Sequence, residues 1–286
     1  MDPEPLDLLT LAQTDVSQPL SLDLLLQALS QPPFVSLPGS FNTRDLGRVP
    51  GSPVRPGLVY RSGGFLGGSS SATTAVLRDQ LGIRTIFDLR SVGEHARQPD
   101  PAFDGIRTVW VEPGEEDAVV ELDEFVEGGG EKGYAAMYMD VLRAYPGAIK
   151  AVLEHVRDLD GLDEGRGGGF MFHCTAGRDR TGVMAGLLLS LAGASPDTVA
   201  LDYILSRIGT EPAREQLLAF VMQGAGVESM DVPGFHNVCS LRISCWEAFV
   251  KAMEKEYGGF EGYVKGTLGF SDADLIKIKR NLVLEN

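Results

Sequence analysis

Apolar residues along this chain recur with two periods, every three to four positions in some stretches and every second position in others. Residues 19–30 read Pro-Leu-Ser-Leu-Asp-Leu-Leu-Leu-Gln-Ala-Leu-Ser and predict an amphipathic helix that starts near Ser21 and stops before Pro32 and Pro33. Short β-like runs follow at 34–37, 57–60, 84–89 and 107–111, with turn clusters between them and a helix expected over 71–81. From Gly133 onward the pattern is mostly helical, with a helix expected to begin near Tyr134. A glycine-rich loop at 163–169 and an apolar strand at 170–173 interrupt it. Met184, Leu187, Leu188 and Leu191 recur at helical spacing and mark a buried central helix. Strands separated by helices predict an α/β fold, with a central, mostly parallel sheet flanked by helices and a helical C-terminal half. No repeat and no Pro- or Ser-rich linker divides the chain, so the expected organisation is an N-terminal helical extension over 1–33 and one folded domain over 34–286.

Composition narrows the classes of partner. The 286 residues carry 25 Lys and Arg against 40 Asp and Glu, a formal charge of −15. A sequence pI near 4.7 argues against nucleic acid or an anionic membrane as a partner, because either needs a basic face. Any chemistry on phosphate must then come from a local device. Hydrophobic residues at 43% exclude a wholly disordered chain. The longest largely apolar stretch, residues 183–194, is too short to span a bilayer, so no stable membrane insertion is expected. The start, Met1-Asp2-Pro3-Glu4-Pro5, is acidic where a secretory signal would be basic. Three cysteines, Cys174, Cys239 and Cys245, make no disulfide framework, and neither they nor His95, His155 and His236 show metal-ligand spacing. The expected compartment is cytoplasmic, with no metal and no cofactor. Residues 112–132 hold nine Asp or Glu and one Lys, and read as a solvated insertion or, if they border a ligand crevice, a lid.

One segment carries chemistry: His173-Cys174-Thr175-Ala176-Gly177-Arg178-Asp179-Arg180-Thr181-Gly182, between the apolar strand and the buried helix. A Cys and an Arg separated by five residues in a strand–loop–helix context make a phosphate cradle with a nucleophile at its base. Small residues Thr175, Ala176 and Gly177 let the loop curl so that successive amides face inward. The helix N-terminus, these amides and Arg180 favour the thiolate form of Cys174, which is the nucleophilic form. Arg180 offers a planar fork for two phosphoryl oxygens. Thr181 can donate to the departing sulfur, and His173 orients the loop through backbone hydrogen bonds. The bland alternative for Cys174 is a buried thiol packing a strand end.

The segment resembles the signature of the cysteine-dependent protein tyrosine phosphatase superfamily. It is most similar to the atypical branch of bacterial and fungal tyrosine and lipid phosphatases, the mycobacterial phosphatase B-like branch, whose loop usually reads His-Cys-X-Ala-Gly-Lys-Asp-Arg-Thr-Gly. The likeness continues in Asn42-Thr43-Arg44-Asp45-Leu46-Gly47, Pro56-Gly57 and Tyr60-Arg61-Ser62. It continues further in Asp88-Leu89-Arg90-Ser91 with Glu94, Pro99-Asp100-Pro101, Asp202-Tyr203-Ile204-Leu205-Ser206, Tyr257-Gly258 and Leu268-Gly269-Phe270-Ser271. It implies a phosphatase P-loop between strand and helix, and a tyrosine-phosphatase-like catalytic domain over 34–286. It implies a phosphomonoester hydrolase of protein-tyrosine or dual-specificity type acting through a phosphocysteine, on a phosphotyrosine protein or a phosphoinositide head group. Cys174 and Arg180 would be catalytic, and Thr175, Ala176, Gly177, Arg178 and Thr181 would bind phosphate.

Two departures bear on mechanism. Arg178 stands where the branch usually has Lys, and is expected to meet a second anionic group on the substrate. No Trp-Pro-Asp loop supplies the general acid; the resemblance gives that role to Asp179. Asp179 reads equally as a structural residue at a helix N-terminus. Asp88, at the end of a strand, is the second candidate, or else part of an ion-pair network with Arg90 and Glu94 that braces the loop. Arg44 and Arg61 read as substrate contacts or turn stabilisers. A sulfurtransferase or arsenate reductase is disfavoured by Arg180-Thr181-Gly182 and the flanking blocks; a catalytically silent phospho-ligand module has no need of the nucleophile.

Overall fold

The three central strands of the sheet are placed by the alternation of their side chains between two cores. The computed structural model describes residues 6–66, 70–115, 120–159 and 168–283. Strands β1 (Arg44–Asp45), β2 (Val59–Ser62), β3 (Ile83–Asp88), β4 (Arg107–Trp110) and β5 (Gly169–His173) form one mixed sheet in the order β1-β2-β5-β3-β4. β2, β5, β3 and β4 run parallel, and β1 pairs antiparallel with β2 at the edge. Along β5, Phe170 and Phe172 join the larger core with Val59 and Phe87. Met171 joins Tyr60, Ile83 and Ile86 in the smaller core, which Leu37, Phe65, Leu77 and Phe103 complete. That two-residue period is the sheet pleat expressed as burial.

Thirteen α-helices are described: α1 (Leu8–Ala12), α2 (Leu22–Leu29), α3 (Ser71–Ala75), α4 (Val92–Arg97), α5 (Glu131–Ala144), α6 (Pro146–Arg157), α7 (Asp179–Leu191), α8 (Pro196–Gly209), α9 (Arg214–Ala225), α10 (Phe235–Cys239), α11 (Ile243–Tyr257), α12 (Gly259–Gly266) and α13 (Asp272–Leu282). The expected central helix is α7, which is buried on nearly every side. It accommodates the Trp246 ring against Gly186, where a methyl group would collide with the indole. Ser21 accepts from the Leu24 amide and starts α2 where the sequence placed it.

The sheet is mixed, because the short polar pair Arg44–Asp45 adds an antiparallel edge that no apolar pattern announces. The run expected at 34–37 is no strand; only Phe34 pairs, in an isolated bridge to Arg44. The helix expected over 71–81 is α3 followed by a π-helical turn at 76–80, which places Leu77 in the smaller core. The acidic segment is anchored where it is described: Phe125 is buried against Tyr134, and its carbonyl accepts from Asn237. The glycine-rich loop lies mostly outside the described residues. Among the described residues no helix is long and apolar enough to cross a membrane.

β5 is central, and its register sets His173 beside Ser62 of β2 and Asp88 of β3. The chain therefore leaves three neighbouring parallel strands at one edge, at Gly63, Leu89 and Cys174. Reacting groups collect at this kind of edge.

Candidate active site

The loop from Cys174 to Arg178 turns between β5 and α7, and the carbonyls of Thr175, Ala176, Gly177 and Arg178 all accept from residues between 42 and 64. The Thr175 carbonyl accepts from the Gly64 amide at 3.0 Å. Asn42 Nδ2 donates to the carbonyls of Ala176 at 3.2 Å and Gly177 at 2.8 Å. Arg61 Nη2 donates to Gly177 at 2.8 Å and more weakly to Arg178 at 3.4 Å. In a trans peptide each N–H points opposite the preceding carbonyl. The amides of residues 176–179 therefore face away from Gly64, Asn42 and Arg61, in one row at the N-terminus of α7. A row of this kind, with the positive end of a helix behind it, is an anion nest. Gly177 has φ +64°, and a β-carbon there would also run into the Ser62 carbonyl, so the curl needs glycine.

Beneath the loop lies a buried ionic group. Arg44 and Arg61 are wholly buried and share Asp202 of α8, at 2.8 and 2.5 Å. Arg44 also bonds Asn42 Oδ1, the Asp202 carbonyl and Ser206 Oγ. Burial and repulsion from Arg61 lower the Arg44 pKa to about 10, against the pull of Asp202. Burial opposes ionisation of Asp202, yet the two guanidiniums hold its carboxyl below the usual range. Two cations on one anion leave one positive charge fixed behind the amide row.

Cys174 is 2% exposed at the start of this loop. Arg180 is held by Glu94, whose Oε2 and Oε1 lie 2.5 and 2.9 Å from Nη1 and Nη2. Tyr145 flanks the guanidinium 5.5 Å from its ring centre. Burial works against the Arg180 charge, but Glu94 and the neighbouring Cys174 raise its pKa well above the ordinary value. Glu94 also accepts from Thr175 Oγ1 at 2.5 Å. Burial disfavours the Glu94 carboxylate, but Arg180, Thr175 and the Ser91 amide hold its pKa at about 2. Thr181 Oγ1 is buried and has no hydrogen-bond partner among the described residues.

Asp179, the first residue of α7, is partly open to solvent. It accepts from Tyr138 Oη at 3.0 Å and from Arg178 Nε at 3.1 Å. The Arg178 guanidinium also bonds the carbonyls of Cys239 and Val238. The side chain expected to meet a second substrate anion is thus already engaged with α10 and Asp179. Asp88 accepts from Arg90 at two nitrogens and pairs with His95, which stacks on Trp110 at 4.2 Å. Burial opposes its charge, but Arg90, His173 and His95 hold its pKa at about 2. His173 Nε2 lies 2.8 Å from Asp100, and Nδ1 lies 3.3 Å from the Cys174 carbonyl. Burial disfavours its cation, but Asp100 outweighs this and raises the pKa.

Asp88, Asp100 and His173 bring ligand atoms within 4.8 Å of one another, as a metal site would. Arg90 already bonds both carboxylates, so this cluster holds its cation. The structure thus brings Cys174, Thr175, Ala176, Gly177, Asp179, Arg180 and Thr181 together at one sheet edge, and sets Asp88 and His173 in the brace behind them. The roles of Asn42, Asp100, Tyr138, Tyr145 and Asp202 are not legible in the sequence. Their partners lie far along the chain; only Asp202, a charged residue inside the largely apolar α8, carried a signal, because a buried carboxylate must find a counter-charge.

Residues 35–284 match the profile of the tyrosine phosphatase family. A putative tyrosine-protein phosphatase of Cupriavidus necator is 30% identical over 237 residues, 82% of this chain and 84% of the relative. The triple specificity protein phosphatase PtpB of Mycobacterium tuberculosis is 30% identical over 276 residues, 85% of this chain and 96% of that protein. Among solved structures, the core catalytic domain of the PP-IP phosphatase SIW14 from S. cerevisiae is 14% identical, with a TM-score of 0.34, covering 67% of this chain and 96% of that one.

Proposed function

Because the chain belongs to the tyrosine phosphatase family, we propose that residues 174–180 are its phosphate-binding loop and that Cys174 is the nucleophile of a two-step phosphomonoester hydrolysis. Membership makes it a phosphatase. The assignment to this loop rests on one observation: the amide row of residues 176–179, set by Gly64, Asn42 and Arg61, beside a buried cysteine and a clamped arginine.

In the first step the Cys174 thiolate attacks phosphorus. An S–P bond forms, the bond to the ester oxygen breaks, and Asp179 gives that oxygen its proton. In the second step water attacks phosphorus and passes a proton to the Asp179 carboxylate. The S–P bond breaks, phosphate leaves, and Thr181 donates to the departing sulfur. Arg180 and the amides bind the equatorial oxygens and stabilise the charge that develops there. Arg178 contributes its amide in this reading, because its guanidinium is engaged elsewhere. Asp88 stays ionised as part of the brace, which favours Asp179 as the acid.

The substrate class we propose is protein phosphotyrosine with dual specificity. Phosphoinositide head groups are the second reading, on the resemblance of the loop at 173–182 to that of the tyrosine and lipid phosphatase branch. Residues 34–286 would be the catalytic unit and 1–33 an extension. The three free cysteines suit a reducing compartment, and we propose the cytoplasm.

Turnover of an aryl phosphate by Cys174→Ser tests the mechanism. The variant should lose about a thousandfold or more in kcat while still binding inorganic phosphate. Retained turnover would rule out Cys174 as nucleophile, and an inactive wild-type protein that binds phosphate would be a silent binding module. Parallel kinetics on phosphotyrosine peptides, phosphoserine peptides and phosphoinositides assign the substrate.

A further inference from the structure

Behind Asp179 lies a chain of phenols that takes no part in the two-step hydrolysis. Tyr138 of α5 is wholly buried, and its hydroxyl lies 3.0 Å from Asp179 Oδ1 and 2.9 Å from the hydroxyl of Tyr203 on α8. Tyr203 is also buried, and its ring packs against Tyr138 and Trp246. A phenol has one proton to donate, and a carboxylate can only accept. While Asp179 is ionised, the only arrangement that serves both contacts runs in one direction: Tyr203 donates to Tyr138, and Tyr138 donates to Asp179. Burial pushes both phenols well above their ordinary pKa, so both stay neutral donors through the working pH range.

We propose that Tyr138, supported by Tyr203, is a positioning residue for the general acid. Its hydroxyl fixes Oδ1 of Asp179 and leaves Oδ2 as the oxygen that carries the transferable proton. The inference rests on the reading of Asp179 as that acid. Arg178 Nε lies at similar distances from both oxygens, 3.2 and 3.1 Å, and does not distinguish them. Tyr138 touches only Oδ1, so it supplies the asymmetry. A pair of chemically equivalent oxygens becomes one anchored and one reactive, which is the preorganisation an acid catalyst needs.

The charged and titratable groups around Asp179 are Arg178 beside it, Tyr138 and Tyr134 from α5, Tyr203 from α8, and Cys239 from α10. Removing the Tyr138 donor takes a hydrogen bond from the ionised carboxylate and so favours its protonated form.

The test is the pH profile of kcat for wild type, Tyr138→Phe, Tyr203→Phe and Asp179→Asn, on an aryl phosphate with a good leaving group and an alkyl phosphate with a poor one. Tyr138→Phe should move the alkaline limb upward by about one pH unit. It should also lower kcat on the poor leaving group about tenfold, with KM little changed. Tyr203→Phe removes an equally buried hydroxyl but leaves Tyr138 able to donate, so its limb should move less. Asp179→Asn should abolish the limb and lose far more on the poor leaving group than on the good one. If Asp179→Asn loses the limb while Tyr138→Phe leaves it in place, the positioning role is wrong and the acid stands. If both tyrosine variants move the limb equally, the effect is one of packing and the positioning role is again wrong. If Asp179→Asn keeps both the limb and the leaving-group dependence, Asp179 is not the acid and both readings fall.

Discussion

Glu94 joins three groups at the candidate site, bonding both terminal nitrogens of Arg180 and the hydroxyl of Thr175. Its carboxyl is held at about 2 against an ordinary 4.5, and that of Asp88 at about 2 against 3.8. A carboxyl whose folded pKa is depressed contributes stability that is fully present above its unfolded pKa and lost as the pH falls through the folded one. Asp88 should therefore contribute about 2 kcal/mol that disappears between roughly pH 4 and pH 2, and Glu94 about 3 kcal/mol that disappears between roughly pH 4.5 and pH 2. Urea unfolding measured from pH 2 to pH 6 should show this loss, and Glu94→Gln should flatten its share. An unchanged slope in that variant would mean that the Arg180 clamp does not hold in solution. Cys174 and Arg180 were legible as a pair because their spacing is local. Glu94 was legible only as a possible brace, since its Arg180 partner lies 86 residues away. The nearby signal, Ser91 followed three residues later by Glu94, describes the capping box at the start of α4 and says nothing of Arg180.

At the level of elements, Asp202 ties α8 to β1 and β2 through Arg44 and Arg61, and Arg61 reaches the loop before α7. Asp202→Asn leaves two buried guanidiniums without their anion. The expected cost is about 3–5 kcal/mol in urea unfolding, with weaker phosphate binding in whatever protein still folds. A loss below about 1 kcal/mol would show that the ionic group is not what supports the loop. The elements themselves were largely readable: β3, β4 and β5 fall within a residue or two of the apolar runs, and α7 lies where leucines recur at helical spacing. What escaped detection was polar or irregular. Arg44–Asp45 pairs as a strand because Arg44 finds its counter-charge in α8, a cause no pattern of apolar residues can express. Likewise the turn at 76–80 widens while keeping Leu77 in the core, so its periodicity still reads as an ordinary helix.

Across the whole molecule, a charge of −15 and the proposed capture of a phosphate dianion are compatible because they act over different distances. Salt screens the diffuse surface charge within about 8–10 Å. The amide row and the α7 N-terminus act at contact, and the uncompensated cation of the buried Arg44–Arg61–Asp202 group lies behind them. Residues in the first thirty-three positions also join the body, since the carbonyls of Thr14, Val16 and Gln18 accept from Arg207 and Arg214. In the proposed reaction this local device carries a covalent phosphoryl group on Cys174. Rapid acid quench of the wild-type protein turning over an aryl phosphate, followed by peptide mass spectrometry, tests it directly. The expected result is a phosphorylated Cys174 peptide that forms before steady state and is absent from Cys174→Ser. Turnover with no phosphocysteine at any quench time, or phosphate attached to another residue, would contradict it.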